Sequence, residues 1–210
     1  MLNINNEIKN HWESIYSGKS SEEFSWTQEI PDTSLKFIHK AHLSKLSNII
    51  DIGGGDSKLV DYLIEEGFKN ITVLDISANA LCRAKKCLGK KAGNVNWIVS
   101  DVTNFRSDIS FDFWHDRAAF HFLTTKQQIS KYILTAKKAV KINGFVTIGT
   151  FSKEGPVKCS GLDVKQYSEE TLTEELKRGF EKIKCINEEH TTPFNTKQNF
   201  LFCFFKKNSI

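Results

Sequence analysis

The sequence predicts an α/β fold: a doubly wound, mostly parallel seven-stranded sheet with an antiparallel last strand. Three observations carry this prediction. Short apolar runs alternate with stretches of helical periodicity along most of the chain. The first strand-like run ends in three consecutive glycines, Gly53, Gly54 and Gly55, where a strand must turn sharply into a helix. The last two runs, 182–189 and 197–206, follow one another with no helix between them, as paired antiparallel strands do.

A polar helix is expected around 6–17, then an aromatic stretch holding Phe24 and Trp26, then an amphipathic helix over 33–46. Residues 48–53 read as a buried strand. Residues 57–66 read as a helix with Leu59, Val60, Leu63 and Ile64 on one face, stopped by Gly67. The second strand is 71–75. Ser77 has the short hydroxyl side chain that satisfies free N–H groups at a helix start, and it opens a helix that runs to Leu88. The third strand, 95–99, runs out at Asp101, and the fourth, 111–114, exits through His115, Asp116 and Arg117. A helix over 125–140, a strand over 144–151 and a helix over 169–178 precede the final pair. No repeat, linker or compositional break divides the 210 residues, so 1–210 reads as one domain, with 1–46 a leading helical lid and 47–206 the sheet core.

Composition narrows the function classes. Apolar residues make up 40% and charged residues 26%, which excludes a disordered or fibrous chain. Lys and Arg number 29 against 25 Asp and Glu, and the resulting +4 is spread along the chain, so no nucleic-acid partner is indicated. The five cysteines, 82, 87, 159, 185 and 203, form no CxxC pair, which argues against structural zinc. Their odd number and the lack of an apolar leader point to a cytoplasmic protein, and no run approaches the roughly 18–20 apolar residues that a bilayer span needs, so no membrane partner is expected.

In an open α/β sheet, ligands bind at the carboxyl ends of the strands near the switch point. The turn there is Asp51-Ile52-Gly53-Gly54-Gly55. A dinucleotide fingerprint would place a third glycine where Lys58 stands, so a nicotinamide or flavin site fits poorly. Asp75 ends the second strand, where a carboxylate can accept from both hydroxyls of a ribose, and Asp101 ends the third. An acid at each strand end suits an uncharged or cationic nucleoside better than a ligand with two phosphates. Each acid alone could equally be a helix cap.

This constellation resembles the class I S-adenosylmethionine-dependent methyltransferases, whose sheet is Rossmann-like. The resemblance implies S-adenosyl-L-methionine as cofactor. It further implies that Asp51, Gly53, Gly54 and Gly55 hold its methionine part, that Asp75 with Ile76 takes the ribose, and that Asp101 with Val102 takes the adenine. Trp114 and His115 would then face the sulfonium. The motifs His-Asp-Arg-Ala, Cys-Ser-Gly-Leu and His-Thr-Thr-Pro, at 115–118, 159–162 and 190–193, resemble a small group within that class. Residues 11–16 and 24–26 resemble the aromatic lead-in of small-molecule methyltransferases, including thiol and tellurite-resistance types.

Methyl transfer is a direct displacement, so the nucleophile must be held in line and relieved of any proton it carries. His115 and Asp116 are the expected catalytic pair, an imidazole beside a carboxylate at a strand exit. Trp12, Tyr16, Trp26, Arg117, Cys159 and His190 are candidate substrate residues. The aromatic ones could shield a cationic sulfonium, and Arg117 could instead be a structural ion-pair partner. His121 reads as a core or helix-start histidine. His115, Cys159 and His190 lack the short spacing of a metal site, so no metal is expected. The expected activity is methyl transfer to a small-molecule acceptor, such as a thiol or other soft nucleophile. Protein lysine methylation is the alternative, ahead of an NAD-dependent oxidoreductase or a non-catalytic binding module.

Overall fold

The computed structural model describes residues 2–18 and 23–208. In chain order its elements are α1 (Leu2–Gly18), α2 (Asp32–Lys40), β1 (Asn48–Ile52), α3 (Leu59–Glu65), β2 (Asn70–Asp75), α4 (Ala78–Leu88), β3 (Val95–Val99) and β4 (Phe111–Arg117). There follow α5 (Lys126–Ala139), β5 (Val140–Phe151), β6 (Lys158–Cys159), β7 (Leu162–Asp163), α6 (Glu169–Leu176), β8 (Phe180–Thr191) and β9 (Lys197–Lys207). The seven-stranded sheet runs β3-β2-β1-β4-β5-β9-β8, with β9 antiparallel to both of its neighbours. The predicted sheet is therefore the observed one. The order reverses between β1 and β4, which opens the crevice where such sheets bind ligands.

Alternation along each strand sends side chains to two cores. Ile49, Phe113, Phe202 and Phe204 meet α2 and α3 on one face, while Ile50, Trp114, Ile148 and Cys203 meet α5 and α6 on the other. Local chemistry sets the helix starts. Ser77 accepts from the N–H of Ala80, and Thr125 and Gln128 form a reciprocal capping box ahead of α5.

Three elements differ from the sequence reading. Helix α2 stops at Lys40, short of the expected 46, because the chain turns left-handed at His42 (φ 48°). The glycine-bearing loop after β5 contains a small hairpin, β6–β7, turned by Ser160 and Gly161 at positive φ. Strand β4 extends through Arg117, so His115 and Asp116 are ladder residues paired with Asp51 and Ile52 of β1 and with Thr147 and Ile148 of β5. A further feature had no signal in the cysteine spacing: Cys185 and Cys203 stand opposite each other across β8 and β9 and are joined as a disulfide.

Candidate active site

A cavity of about 160 Å³ lies at the carboxyl ends of β1, β2, β3 and β4, roofed by α1 and the aromatic stretch after it. Its floor is the glycine turn. Gly53 and Gly55 have φ of +62° and +49°, a conformation that side chains disfavour. A Cβ on Gly53 would stand 2.7 Å from the Ala119 methyl, and one on Gly54 would stand 2.7 Å from Asp51 Oδ2. The backbone thus lies closer to its surroundings than any side chain would permit.

Asp75, Ile76, Asp101 and Val102 all line the cavity, with Ser100 and Thr103 beside them. Asp75 is 5% exposed and accepts from the N–H of Ser77 at 2.8 Å. Burial raises its pKa to about 7, against the opposing pull of N–H donors from Ser77 and Gly55. Asp101 is a cap, one of the two readings that the sequence left open. It accepts from Thr103 N–H at 2.8 Å as the cap of a short 3-10 turn, and it borders the cavity.

The roof is pinned by a residue the sequence reading missed. Glu13 of α1 reaches the N-terminus of α4 and accepts from Ala78 N–H (2.9 Å), Asn79 N–H (3.0 Å) and the Ser77 hydroxyl (2.7 Å). A carboxylate there meets free N–H groups and the positive end of the helix. Burial pushes the Glu13 pKa up, but the donors from Asn79, Ser77 and Ala78 outweigh it and hold the group below 4.5. So placed, α1 lays Trp12 and Tyr16 over the cavity, where both pack near Trp26. The Tyr16 hydroxyl sits 2.5 Å from where a Cβ of Gly55 would be. Burial, then the charge of Asp75, keeps that phenol protonated.

At the far end of the cavity stand Arg117, Phe151 and Cys159. Three motifs distant in sequence converge there on residues 25–26. Arg117 Nη1 donates to the Trp26 carbonyl at 2.7 Å, and His190 Nε2 meets the Ser25 carbonyl at 2.7 Å. The Cys159 thiol interacts with Ser160 and Ser25. Burial pushes that thiol up, which leaves it protonated at neutral pH and a poor nucleophile or metal ligand. His190 itself does not line the cavity.

The expected catalytic pair lies elsewhere. His115 is 2% exposed, with Nδ1 donating to Asp51 Oδ1 at 2.7 Å and Nε2 paired with the Ser34 hydroxyl at 2.8 Å. This linear Ser–His–Asp order resembles a nucleophilic relay. Ser34, however, is 1% exposed and none of the three lines the cavity, so the chain of bonds ties α2 to β4 and β1. Asp116 points to the opposite core, where it accepts from Ala119 and Phe120 N–H at 3.1 Å and from Tyr132 hydroxyl at 2.7 Å. Burial raises it to about 6 against those donors. Trp114 lies on the same side, donating to Tyr132 at 2.9 Å, and does not face the cavity. The physical reason for all three corrections is that β4 is three residues longer than its apolar run suggests and is flanked on both sides. Its polar side chains must then be satisfied inside the protein. Asp51, likewise buried, supports the glycine turn from beneath, and Gly54 and Gly55 shape the floor from outside the lining. Asp116 in turn fixes the Ala118–Ala119 turn, where Ala118 holds a left-handed φ of 66°, and these two residues form a wall that the sequence reading did not identify.

The sheet order and the cavity at its switch point belong to a Rossmann-like fold that this chain shares with solved methyltransferases. More particularly, residues 49–144 match the family model of the methyltransferase domain. The chain is 23% identical over 155 residues to the EEF1A lysine methyltransferase 2 of Mus musculus, covering 67% of this chain and 64% of that one. It is 24% identical to the ubiquinone biosynthesis O-methyltransferase of Rickettsia conorii, covering 65% of this chain and 49% of that one. It thus spans less than two thirds of either relative. Among solved structures, the N-methyltransferase NodS of Bradyrhizobium japonicum with S-adenosyl-L-homocysteine superposes with a TM-score of 0.72 at 15% identity, covering 94% of this chain and 98% of that one. The residues present fit S-adenosylmethionine: the turn at Gly53 admits no side chain beside the cavity, and the carboxylates of Asp75 and Asp101 both border it. Among the described residues, no helix is long and apolar enough to cross a membrane, and no group of three metal-ligating side chains occurs.

Proposed function

We propose that this chain transfers a methyl group to a small-molecule acceptor with a soft nucleophile such as a thiol, with residues 1–46 as the lid over the 47–206 core. S-adenosylmethionine, when bound, supplies a methyl group on a sulfonium that is open to in-line displacement. Asp75 and Ile76 hold the ribose, Asp101 and Val102 the adenine, and the turn from Gly53 to Gly55 the methionine part. Trp12, Tyr16 and Trp26 exclude water and face the positive charge with their π-systems.

The observation that carries the acceptor assignment is the make-up of the cavity's far end. It is closed over by the chain's own aromatic residues, and among the described lining residues it has no imidazole or free carboxylate to serve as a base. A nucleophile that enters this space must already be largely unprotonated, as a thiol is more readily than an alcohol. The lysine reading has the support of the EEF1A methyltransferase relative. Against it, a lysine acceptor would have to lose its proton at an end of the cavity whose described lining residues offer no base and already include a guanidinium.

Incubation with methyl-labelled S-adenosylmethionine, a panel of low-molecular-mass thiols and a cell extract separates the two. Label in the small-molecule fraction supports the proposal. Label confined to precipitated protein overturns it in favour of the lysine reading.

A further inference from the structure

Arg117 is the only basic side chain among the described residues that line the cavity. One of its nitrogens, Nη1, is held by the Trp26 carbonyl, while Nε and Nη2 are buried with no hydrogen-bond partner. A guanidinium presents its donors as a rigid planar fork, and leaving two of them dry and unpaired is costly. Its position is fixed. The guanidinium carbon lies 5.1 Å from the centroid of the Phe200 ring of β9, a strand in the other half of the sheet order from β2 and β3, which lead to Asp75 and Asp101. The carboxylate that most influences it is Glu188 of β8, which does not form an ion pair with it and is engaged by Gln28 at 3.1 Å. Burial lowers the Arg117 pKa only to about 10, so the group is a cation at neutral pH. The nearby imidazoles do not share that charge, since burial followed by the Arg117 charge depresses both His121, to about 3, and His190. Flat apolar rings, Trp26, Phe122 and Phe151, line the same cavity as Arg117.

We propose that Arg117 binds a carboxylate carried by the methyl acceptor, so that the acceptor class is a small, flat, apolar molecule with an anionic carboxylate. This rests on the methyltransferase reading above and deepens it. A carboxylate accepts from two guanidinium N–H groups at once, which answers the two unpartnered donors and neutralises a cation that would otherwise repel the sulfonium across the cavity.

The test follows the Arg117 Nε–H resonance by nitrogen-15 NMR in protein saturated with S-adenosylhomocysteine, assigned through the backbone and checked by its loss in Arg117→Lys. Benzoate, its neutral isostere benzamide and cationic benzylamine are titrated in turn. Expected is a saturable downfield shift with benzoate, about tenfold or more weaker affinity for benzamide, and no response to benzylamine. Equal responses to benzoate and benzamide, or none to benzoate, overturn the inference. So does a full shift on adding S-adenosylhomocysteine alone, which would assign Arg117 to the cofactor's carboxylate. Failure of the protein to bind S-adenosylhomocysteine sinks the methyltransferase reading as well, and is thereby distinguished from failure of the acceptor assignment alone.

Discussion

At one end of the cavity, each acid stands where a strand runs out: Asp75 at the end of β2 and Asp101 two residues after β3. At the other end the groups come from stretches far apart, Trp12, Trp26, Arg117, Phe151 and Cys159, brought together by the return of β4, β5 and the β6–β7 hairpin to the same rim. The first end depends on local register and the second on packing of the whole chain. A ligand common to a class can be held by positions that any sheet of this order supplies, whereas an acceptor peculiar to one protein needs residues that only its own tertiary fold gathers.

Strand β4 carries the same contrast on its two faces. His115 and Asp116 are buried and bonded to opposite cores, and Arg117, the next residue, reaches the cavity. The largest expected effect tests this division. Asp116→Ala leaves two backbone N–H groups and the Tyr132 hydroxyl without an acceptor and should cost about 3–5 kcal/mol of folding stability in urea titration. Unchanged stability with methyl transfer abolished would return Asp116 to the chemistry.

Next in size, Asp75→Ala should weaken S-adenosylhomocysteine binding by about 1.5–3 kcal/mol in calorimetry, the loss of charge-assisted bonds to two hydroxyls. Parent-like affinity would remove Asp75 from the ribose and erase the distinction between the two ends.

The same acid makes binding depend on pH. In the free protein Asp75 titrates at about 7, and under the proposed reading ribose hydroxyls would donate to its ionised form, so the cofactor would favour the deprotonated group. Affinity should be flat above that pH and fall by up to about tenfold, or 1.4 kcal/mol, per unit below it. For folding the sign is opposite: the native carboxylate holds its proton more tightly than the unfolded one, so Asp75 detracts from stability as pH rises from 3.8 towards about 7. A pH-independent affinity between 5.5 and 7, measured by titration calorimetry, would break this link.

The smallest effect concerns the lid. Glu13→Gln should loosen α1 from α4 by about 1 kcal/mol, seen as faster hydrogen exchange in Ala78 and Asn79 and a weaker hold of Trp12 over the cavity. The native Glu13 carboxylate is held below 4.5, so its contribution is fully present above that pH and is lost as pH falls through the lowered value. Exchange unaltered by the substitution at neutral pH would show that the aromatic contacts alone hold the lid.

How far the sequence reached can be judged from particular residues. Gly53, Asp75, Ile76, Asp101 and Val102 were legible and line the cavity, because strand ends and tight turns leave local marks in apolar periodicity and glycine placement. Trp12, Tyr16, Trp26, Arg117 and Cys159 were legible as unusual residues and do line it, but nothing local told that Arg117 would face inward while His115 would not. Glu13 carried no signal at all, since its partner is a helix start about 65 residues further along the chain. Nor did the Cys185–Cys203 bond, which depends on the register of β8 with β9.

By itself, then, the sequence determined the order of strands and helices, the glycine floor and the acids at the strand ends, all consequences of short-range steric and hydrophobic pattern. Only the tertiary structure decided that β4 runs on through Arg117 between two neighbours. That extension commits His115 and Asp116 to buried hydrogen bonds and delivers one unpaired guanidinium to the cavity. Leaving a polar side chain unsatisfied inside a sheet is costly, and which partners satisfy it is a property of long-range pairing that no stretch of sequence states alone.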